Sequence, residues 1–152
     1  MGTMSPWPQM RQGAKEHPIP ALQYLLRARG YAVVVDGLFG PATTAAVRQF
    51  QQRHTLLVDG IVGPRTWASL VTVIRRGSEG DAVRGVQEEF QYRNLCGCAG
   101  EWSVVDGIFG PRTEEAVRNF QGAVHAEVPS MTVDGIVGPL TWRALVSGMF
   151  SF

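Results

Sequence analysis

Residues 35–43 are Val35-Asp36-Gly37-Leu38-Phe39-Gly40-Pro41-Ala42-Thr43, a nine-residue pattern that the chain repeats and that is therefore the strongest indication of its fold. The same pattern returns at residues 58–66, 105–113 and 133–141: Val-Asp-Gly, then Leu or Ile, Phe or Val, Gly-Pro, a variable residue and Thr. Four matches in 152 residues are not chance. They indicate an architecture of repeated units. We refer to the four stretches as nonamers 1 to 4.

The nonamers alternate, so the repeating unit is a pair of them. Nonamers 1 and 3 carry Phe at the fifth place, whereas nonamers 2 and 4 carry Val there and continue into Thr-Trp. The predicted organisation is an N-terminal tail, a first domain, a second domain and a C-terminal tail, over residues 1–10, 11–74, 75–148 and 149–152. The second domain holds two insertions, around Cys96–Glu101 and Ala126–Ser130, which we expect between helices.

Each nonamer predicts a tight turn that leads into a helix. The Asp side chain is expected to accept a backbone N–H, and the first Gly allows a positive φ. The second Gly falls at a helix cap, with Pro following at the first helical position. We expect both apolar residues between the two glycines to enter the core. The turn residues are Asp36, Gly37, Gly40, Pro41, Asp59, Gly60, Gly63, Pro64, Asp106, Gly107, Gly110, Pro111, Asp134, Gly135, Gly138 and Pro139.

Apolar residues at helical spacing follow the nonamers and also precede each pair. Helices are predicted over Ala21–Arg29, Pro41–His54, Pro64–Ile74, Asp81–Arg93, Pro111–Ala123 and Pro139–Gly148. The predicted fold is all-α, with two tandem three-helix bundles joined by long structured loops. Each bundle has about 65–70 residues, near the size at which one core suffices.

The repeat resembles the peptidoglycan-binding domain family of type 1, whose three-helix modules accompany many cell-wall hydrolases. The resemblance lies in the pattern Asp-Gly-x-Phe-Gly-Pro-x-Thr, the later Phe-Gln, and the second nonamer with its Thr-Trp; it runs from about Arg11 to Ser147 in two copies. It implies binding of the glycan strand or stem peptide of peptidoglycan. The fold also resembles the propeptide domain of matrix metalloproteinases, but Pro64-Arg65-Thr66 and Pro111-Arg112-Thr113 lack the Cys of that family's inhibitory switch.

Charge and hydropathy exclude several classes of protein. The net charge is +1, without the concentrated basic footprint of a nucleic-acid binder. No apolar run approaches the roughly 18 residues of a membrane span, so neither nucleic acid nor membrane insertion is expected. Residues 11–74 carry six Arg and one Lys against three acids, hence +4, and residues 75–152 carry seven Arg against ten acids, hence −3. No signal peptide is visible in residues 1–20.

The histidines and cysteines form no constellation typical of a hydrolase. His17, His54 and His125 lie in separate segments and favour loop or helix-end positions. Cys96 and Cys98 are too few for a disulfide framework or a structural zinc site. We interpret them as a loop staple or incidental thiols, with a nucleophile or a metal clip as the alternatives.

The acidic residues suggest no catalytic pair or cation site. Glu88-Glu89 and Glu114-Glu115 are sequence neighbours, so they point in different directions on a helix and are interpreted as solvated surface. One Asp per nonamer lacks the spacing of a calcium loop. We therefore predict no catalytic residue, no metal and no cofactor.

We select candidate binding residues by the chemical groups of the cell wall, because aromatic rings stack on its sugars and Arg binds its carboxylates. Trp7 and Trp102 lack counterparts in the other unit and are expected to be more exposed. Trp67 lies at helical spacing from Leu70, which is typical of a core residue. A core position is therefore the alternative to ligand binding for Trp67 and for its counterpart Trp142. The predicted ligand-binding residues are Arg48, Gln52, Arg53, Arg65, Trp67, Arg112, Arg118 and Trp142.

The predicted function is non-catalytic binding of bacterial peptidoglycan by tandem modules. The alternatives are a targeting fragment of a cell-wall lytic enzyme and a protein-interaction scaffold, with a hydrolase or another protein docking on the acidic second domain. The +4 domain is expected to hold most of the affinity for anionic muropeptides. The family resemblance implies a secreted or wall-associated location, with phage association as the alternative.

Overall fold

A computed structural model describes residues 2–93 and 104–149 of the chain. The helices found in these residues are α1 (Ile19–Ala28), α2 (Pro41–Arg53), α3 (Pro64–Leu70), α4 (Asp81–Arg93), α5 (Pro111–Glu127) and α6 (Pro139–Val146). The predicted all-α fold of two tandem bundles is confirmed, with α1–α3 in the first unit and α4–α6 in the second.

The Gly-Pro pair of each nonamer starts the next helix, as predicted. The second glycine is the N-cap, and proline occupies the first turn of α2, α3, α5 and α6. Proline lacks an N–H that the first turn would leave unpaired anyway, and its φ suits a helix. The local sequence alone therefore sets these four helix starts.

Of the two apolar residues between the glycines, only the second enters the core. Phe39 and Phe109 are buried, whereas Leu38 and Ile108 before them are each 54% exposed. Nonamers 2 and 4 bury Val62 and Val137 in the same way, with a half-buried Ile before each. The expectation that both would be buried was wrong because successive side chains of an extended segment point to opposite sides.

An extended segment ahead of the first helix of each unit pairs with both of that unit's nonamers. In the first unit Met10 bridges Val62 and Lys15 bridges Leu38; in the second, Ile74 bridges Val137 and Glu79 bridges Ile108. The Met10 and Val62 backbones exchange hydrogen bonds of 3.0 and 2.7 Å. These bridges hold the nonamers of one unit together.

Several helix ends differ from the predictions. Helix α3 stops at Leu70 rather than Ile74, because Val71 is extended (ψ 147°) and leads into the bridge at Ile74. Helix α5 continues to Glu127, so part of the insertion predicted between helices adds a turn to α5 instead. The insertion around Cys96–Glu101, with Trp102, lies outside the described residues.

The two units meet where α1 and α4 pack in antiparallel orientation. His17, just before α1, contacts Glu89 near the end of α4 at 2.7 Å, and Arg27 near the end of α1 lies 3.5 Å from Asp81 at the start of α4. At the crossing, a Cβ built on Gly85 would lie 3.6 Å from the carbonyl oxygen of Ala21. Two small residues at equivalent places in the repeat thus let the helices approach closely.

An arginine at the end of the first helix of each unit binds the end of its last helix. Arg29 donates to the carbonyls of Ser69 and Leu70 at the end of α3. The equivalent Arg93 donates to the carbonyl of Leu145 in α6 and to the carboxylate of Glu89. Glu89 is 1% exposed, so its interpretation as solvated surface was wrong; its buried carboxylate pairs with Arg93 and contacts His17 Nε2.

The N-terminal segment packs against both units. Trp7 is half-buried, hence more exposed than Trp67 and Trp142, and it stacks on Trp67 with ring centroids 5.9 Å apart. Pro8 accepts a hydrogen bond from Trp67 Nε1 at 2.7 Å. From the second unit, Arg143 donates to the Ser5 carbonyl at 2.7 Å. Residues predicted as a tail therefore bridge the two units.

None of the helices in the described part of the chain is both long enough and apolar enough to cross a bilayer.

Candidate functional site

Each nonamer is bound by one buried glutamine from the preceding helix. The side-chain amide of Gln23 donates to Asp36 Oδ1 at 2.9 Å, to the Leu38 carbonyl at 3.0 Å and to Thr43 Oγ1 at 3.2 Å. Its Oε1 accepts from the backbone N–H of Asp36 and Gly37. One side chain therefore satisfies the polar groups of the whole turn, which would be costly to leave unpaired beside a core.

The same arrangement occurs at all four nonamers. In the others, the glutamine again donates to the Asp carboxylate, to the carbonyl two residues later and to the Thr hydroxyl, at 2.9–3.2 Å. The four glutamines are Gln23, Gln51, Gln87 and Gln121, all less than 6% exposed. Sequence reasoning missed them, although each follows a buried Leu, Val or Phe at the same place of the repeat.

The Asp of each nonamer forms the predicted turn by accepting the N–H two residues later, at 2.9 Å in every case. Donation by Gln23, and then by the Leu38 N–H, lowers the pKa of Asp36. For Asp106 the Ile108 N–H comes first and Gln87 second, and the pKa is again lowered. These carboxylates are held in the charged form, unlike a general acid, whose pKa must be raised.

The first glycine of each nonamer adopts the predicted positive φ, between 72° and 77°. The residue three places before the glutamine covers it: Pro20, Arg48, Arg84 and Arg118 cover Gly37, Gly60, Gly107 and Gly135. A Cβ on Gly107 would lie 2.8 Å from Arg84 Cζ. The predicted ligand residues Arg48 and Arg118 are therefore exposed side chains that pack over glycines, Arg48 with Cγ and one guanidinium nitrogen and Arg118 with its guanidinium.

Open grooves lie beside nonamers 2, 3 and 4, with volumes of about 490, 380 and 170 Å³. All three are lined by the same nonamer positions: the Asp, the Ile, the second Gly, the Pro, the variable eighth residue and the Thr. That eighth residue is Arg65 in nonamer 2, Arg112 in nonamer 3 and Leu140 in nonamer 4. The structure thus places two predicted ligand residues in grooves.

The remaining predicted ligand residues do not line these grooves. Gln52 and Arg53 are exposed on α2, with the Arg53 guanidinium 5.5 Å from the Tyr31 ring centroid. Trp67 and Trp142 are 0% exposed, and Trp142 Nε1 donates to the Thr72 carbonyl at 2.7 Å. Burial argues against the ligand role of both tryptophans and fits the core alternative, since neither ring presents a face to a sugar.

Histidine and acidic side chains are the candidates for a metal centre. Within residues 2–93 and 104–149, no three His, Cys, Asp or Glu side chains converge in a way that would hold a metal ion. His54 lies against Phe50 with ring centroids 4.1 Å apart, and His125 Nδ1 contacts the Met131 carbonyl at 2.7 Å. The absence of metal and cofactor stays a prediction.

The paired units also coincide with a known family pattern. The peptidoglycan binding domain pattern matches residues 16–70 and, a second time, residues 79–145. The chain belongs to the peptidoglycan binding domain family. Its two copies correspond to α1–α3 and α4–α6, so each copy contains two nonamers, two buried glutamines and one arginine-lined groove.

Similar proteins include an uncharacterized protein from Kitasatospora aureofaciens, 64% identical over 73 residues that are 48% of this chain and 54% of that relative. The chain thus spans about half the length of this relative. A solved peptidoglycan-binding protein from Clostridioides difficile, in complex with glutamine hydroxamate, is 40% identical over 41% of this chain and 40% of its own, with a TM-score of 0.41. The SleB N-terminal domain is 35% identical over 47% of this chain and 94% of its own, also with a TM-score of 0.41.

Proposed function

We propose that this chain binds bacterial peptidoglycan through both of its peptidoglycan binding domains and performs no catalysis on it. The main support is the double family match. Each copy also has a groove lined by the same positions within a nonamer, at nonamer 2 in the first copy and at nonamer 3 in the second. Two binding units on one chain gain avidity on a repetitive polymer, because the second contact forms at a high effective concentration.

The size and lining of the larger grooves support a ligand of a few sugar or amino-acid residues. Volumes of about 490 and 380 Å³ fall within the usual range of ligand pockets, roughly 300–1,000 Å³. Each groove combines an isoleucine, a carboxylate and a guanidinium. Peptidoglycan offers matching groups in its acetamido methyls, peptide N–H groups and free carboxylates.

The chemistry of Asp106, the carboxylate of the nonamer 3 groove, supports a binding role rather than a hydrolytic one. A glycosidase needs one carboxyl group that stays protonated near neutral pH and a second one placed opposite it. Asp106 instead has a lowered pKa, and its Oδ1 accepts bonds from Gln87 and the Ile108 N–H. Both interactions favour a fixed turn over proton transfer.

Co-sedimentation of the purified chain with isolated sacculi tests the proposal. We expect the chain to pellet with sacculi at modest salt, to pellet equally after protease treatment of the wall, and to leave cellulose unbound. A chain that stays in the supernatant with sacculi contradicts the proposal, and loss of binding after protease treatment supports the protein-interaction alternative instead.

Zymography on cell-wall substrate tests the absence of catalysis. The chain alone is expected to leave the substrate intact, and clearing by this chain would contradict the proposal. Running the intact gene product beside it distinguishes a stand-alone binder from the targeting part of a lytic enzyme. We place the protein at the cell wall, outside the cell or on a phage particle, as this function requires.

A further inference from the structure

We propose that the grooves of nonamers 2 and 3 are peptide-binding subsites in which Arg65 and Arg112 hold a free carboxylate of a peptidoglycan stem peptide. The inference rests on the proposed function and assigns a ligand chemistry to its grooves. The two subsites occupy non-equivalent places in the repeat: the second nonamer of the first unit and the first nonamer of the second unit.

The second glycine of each nonamer is the first observation, because the fold does not require it. These four glycines have φ between −97° and −106°, in extended backbone that any residue adopts. A Cβ at Gly40, Gly63, Gly110 or Gly138 would meet no atom within 4 Å. Gly63 and Gly110 face the two larger grooves, where a missing side chain lets a ligand approach the backbone closely.

The eighth residue is the second observation. Arg65 and Arg112 are exposed, and no ion pair or hydrogen bond is found for either guanidinium in the described part of the chain. Most other arginines already bind carbonyls or carboxylates, as Arg29 and Arg93 do at helix ends. A free guanidinium beside an open groove suits a carboxylate, which it binds through two parallel hydrogen bonds.

The negatively charged Asp of each groove further restricts the class of ligand that can bind. Asp59 and Asp106 use Oδ1 for the internal turn, so the same carboxylate still has acceptor capacity at its second oxygen. A purely anionic ligand would be repelled by this charge. A peptide with a terminal carboxylate brings N–H donors for the Asp and small apolar side chains for the exposed Ile108 surface.

Nonamer 4 provides an internal comparison. It has the same Asp, Gly, Pro and Thr, but Leu140 stands where the grooves of nonamers 2 and 3 have Arg, and its volume of about 170 Å³ is the smallest of these three grooves. Nonamer 1 has Ala42 at that place. The proposal therefore assigns carboxylate binding to nonamers 2 and 3 and not to nonamers 1 and 4.

Calorimetric titration of the full chain tests this with a muropeptide monomer that ends in a free carboxylate, beside the same monomer with that carboxylate amidated. We expect amidation to weaken binding by roughly ten- to a hundredfold, the value of one charge-assisted contact. Arg65→Ala and Arg112→Ala should each remove one binding event. Arg75→Ala removes an equal charge from an exposed residue outside the described groove linings and should keep both events.

Gly63→Ser and Gly110→Ser separate binding from folding. Serine is at least as good an N-cap as glycine, so the helices should form normally by circular dichroism. The added side chain should nevertheless obstruct each groove and remove its binding event. Equal affinity for the free and amidated ligand, or serine variants that bind like wild type, would overturn the inference. If wild type still pellets with sacculi in that case, only the carboxylate assignment fails; if it does not pellet, the proposed function fails as well.

Discussion

At the scale of single residues, four glutamines replace the solvent that would otherwise hydrate an exposed turn. Gln51, for example, donates to Asp59, to the Ile61 carbonyl and to Thr66, and accepts from Gly60. A truncated glutamine would leave several buried or half-buried partners unpaired at once. The polar network therefore fixes where each nonamer sits on its helix.

Gln51→Ala is expected to lower the free energy of unfolding by roughly 2–4 kcal/mol, because it removes several buried hydrogen bonds together. Gln52→Ala is the matched control, since its side chain is exposed on the same helix. Urea denaturation of both variants measures the difference. Equal midpoints for the two variants would show that the network does not stabilise the fold.

The lowered pKa values of Asp36 and Asp106 predict acid sensitivity. A folded-state pKa below the unfolded one means that the stabilisation is fully present above the unfolded value, about 3.9, and is lost as the pH falls through the folded value. The double variant Asp36→Asn and Asp106→Asn should therefore lose less melting temperature between pH 5 and pH 3 than wild type. Glu115→Gln, an exposed change outside the nonamers, should follow the wild-type curve; identical curves for all three would contradict the prediction.

At the scale of helices, the sequence predicted the first residue of most helices better than the last residue. Gly-Pro acts within two residues, so Pro41, Pro64, Pro111 and Pro139 could be recognised without any tertiary information. The end of α3 depends instead on Arg29, which binds its last carbonyls from another helix, and on the bridge that draws the following residues away. Contacts between segments far apart in sequence leave no local signal, which is also why the buried glutamines were missed. Arg93 and Glu89 lie four residues apart on α4, but the burial of this pair depends on contacts with α6 and with His17, which the spacing does not show.

Gly85 tests the packing of α1 on α4. Its Cβ position lies 3.4 Å from Trp142 Cη2 and 3.5 Å from Tyr24 Cβ, so a methyl group fits tightly and a larger side chain does not. Gly85→Leu should lower stability by about 1–3 kcal/mol through overpacking, whereas Gly85→Ala should be close to neutral because alanine favours the helix. Thermal unfolding of the pair checks this, and a leucine variant as stable as wild type would contradict the described crossing.

At the scale of the whole molecule, the two repeated units carry unequal charge. Residues 11–74 have a net charge of +4 and residues 75–152 of −3. The predicted domain boundary at Arg75 and the predicted dominance of the first domain in binding both stay predictions. The repeat allowed the fold to be predicted from the sequence. It did not show which nonamer residues line grooves and which are buried, because this depends on which side of an extended segment faces the core.

The unequal charge predicts unequal subsites. Arg65→Ala should weaken binding of an anionic muropeptide more than Arg112→Ala, because the field of the first unit attracts the ligand. Raising the salt from 50 to 500 mM should reduce the difference by screening. Titrations of both variants at the two salt concentrations measure it, and a larger loss for Arg112→Ala would contradict the charge argument.

If the grooves beside the nonamers hold the ligand, amide NMR of the full chain during a muropeptide titration should locate it there. We expect the largest shift changes on the backbone amides of nonamers 2 and 3, including Gly63 and Gly110, with little change in α1 and α4. Changes concentrated at the α1–α4 contact, or none at saturating ligand, would contradict it.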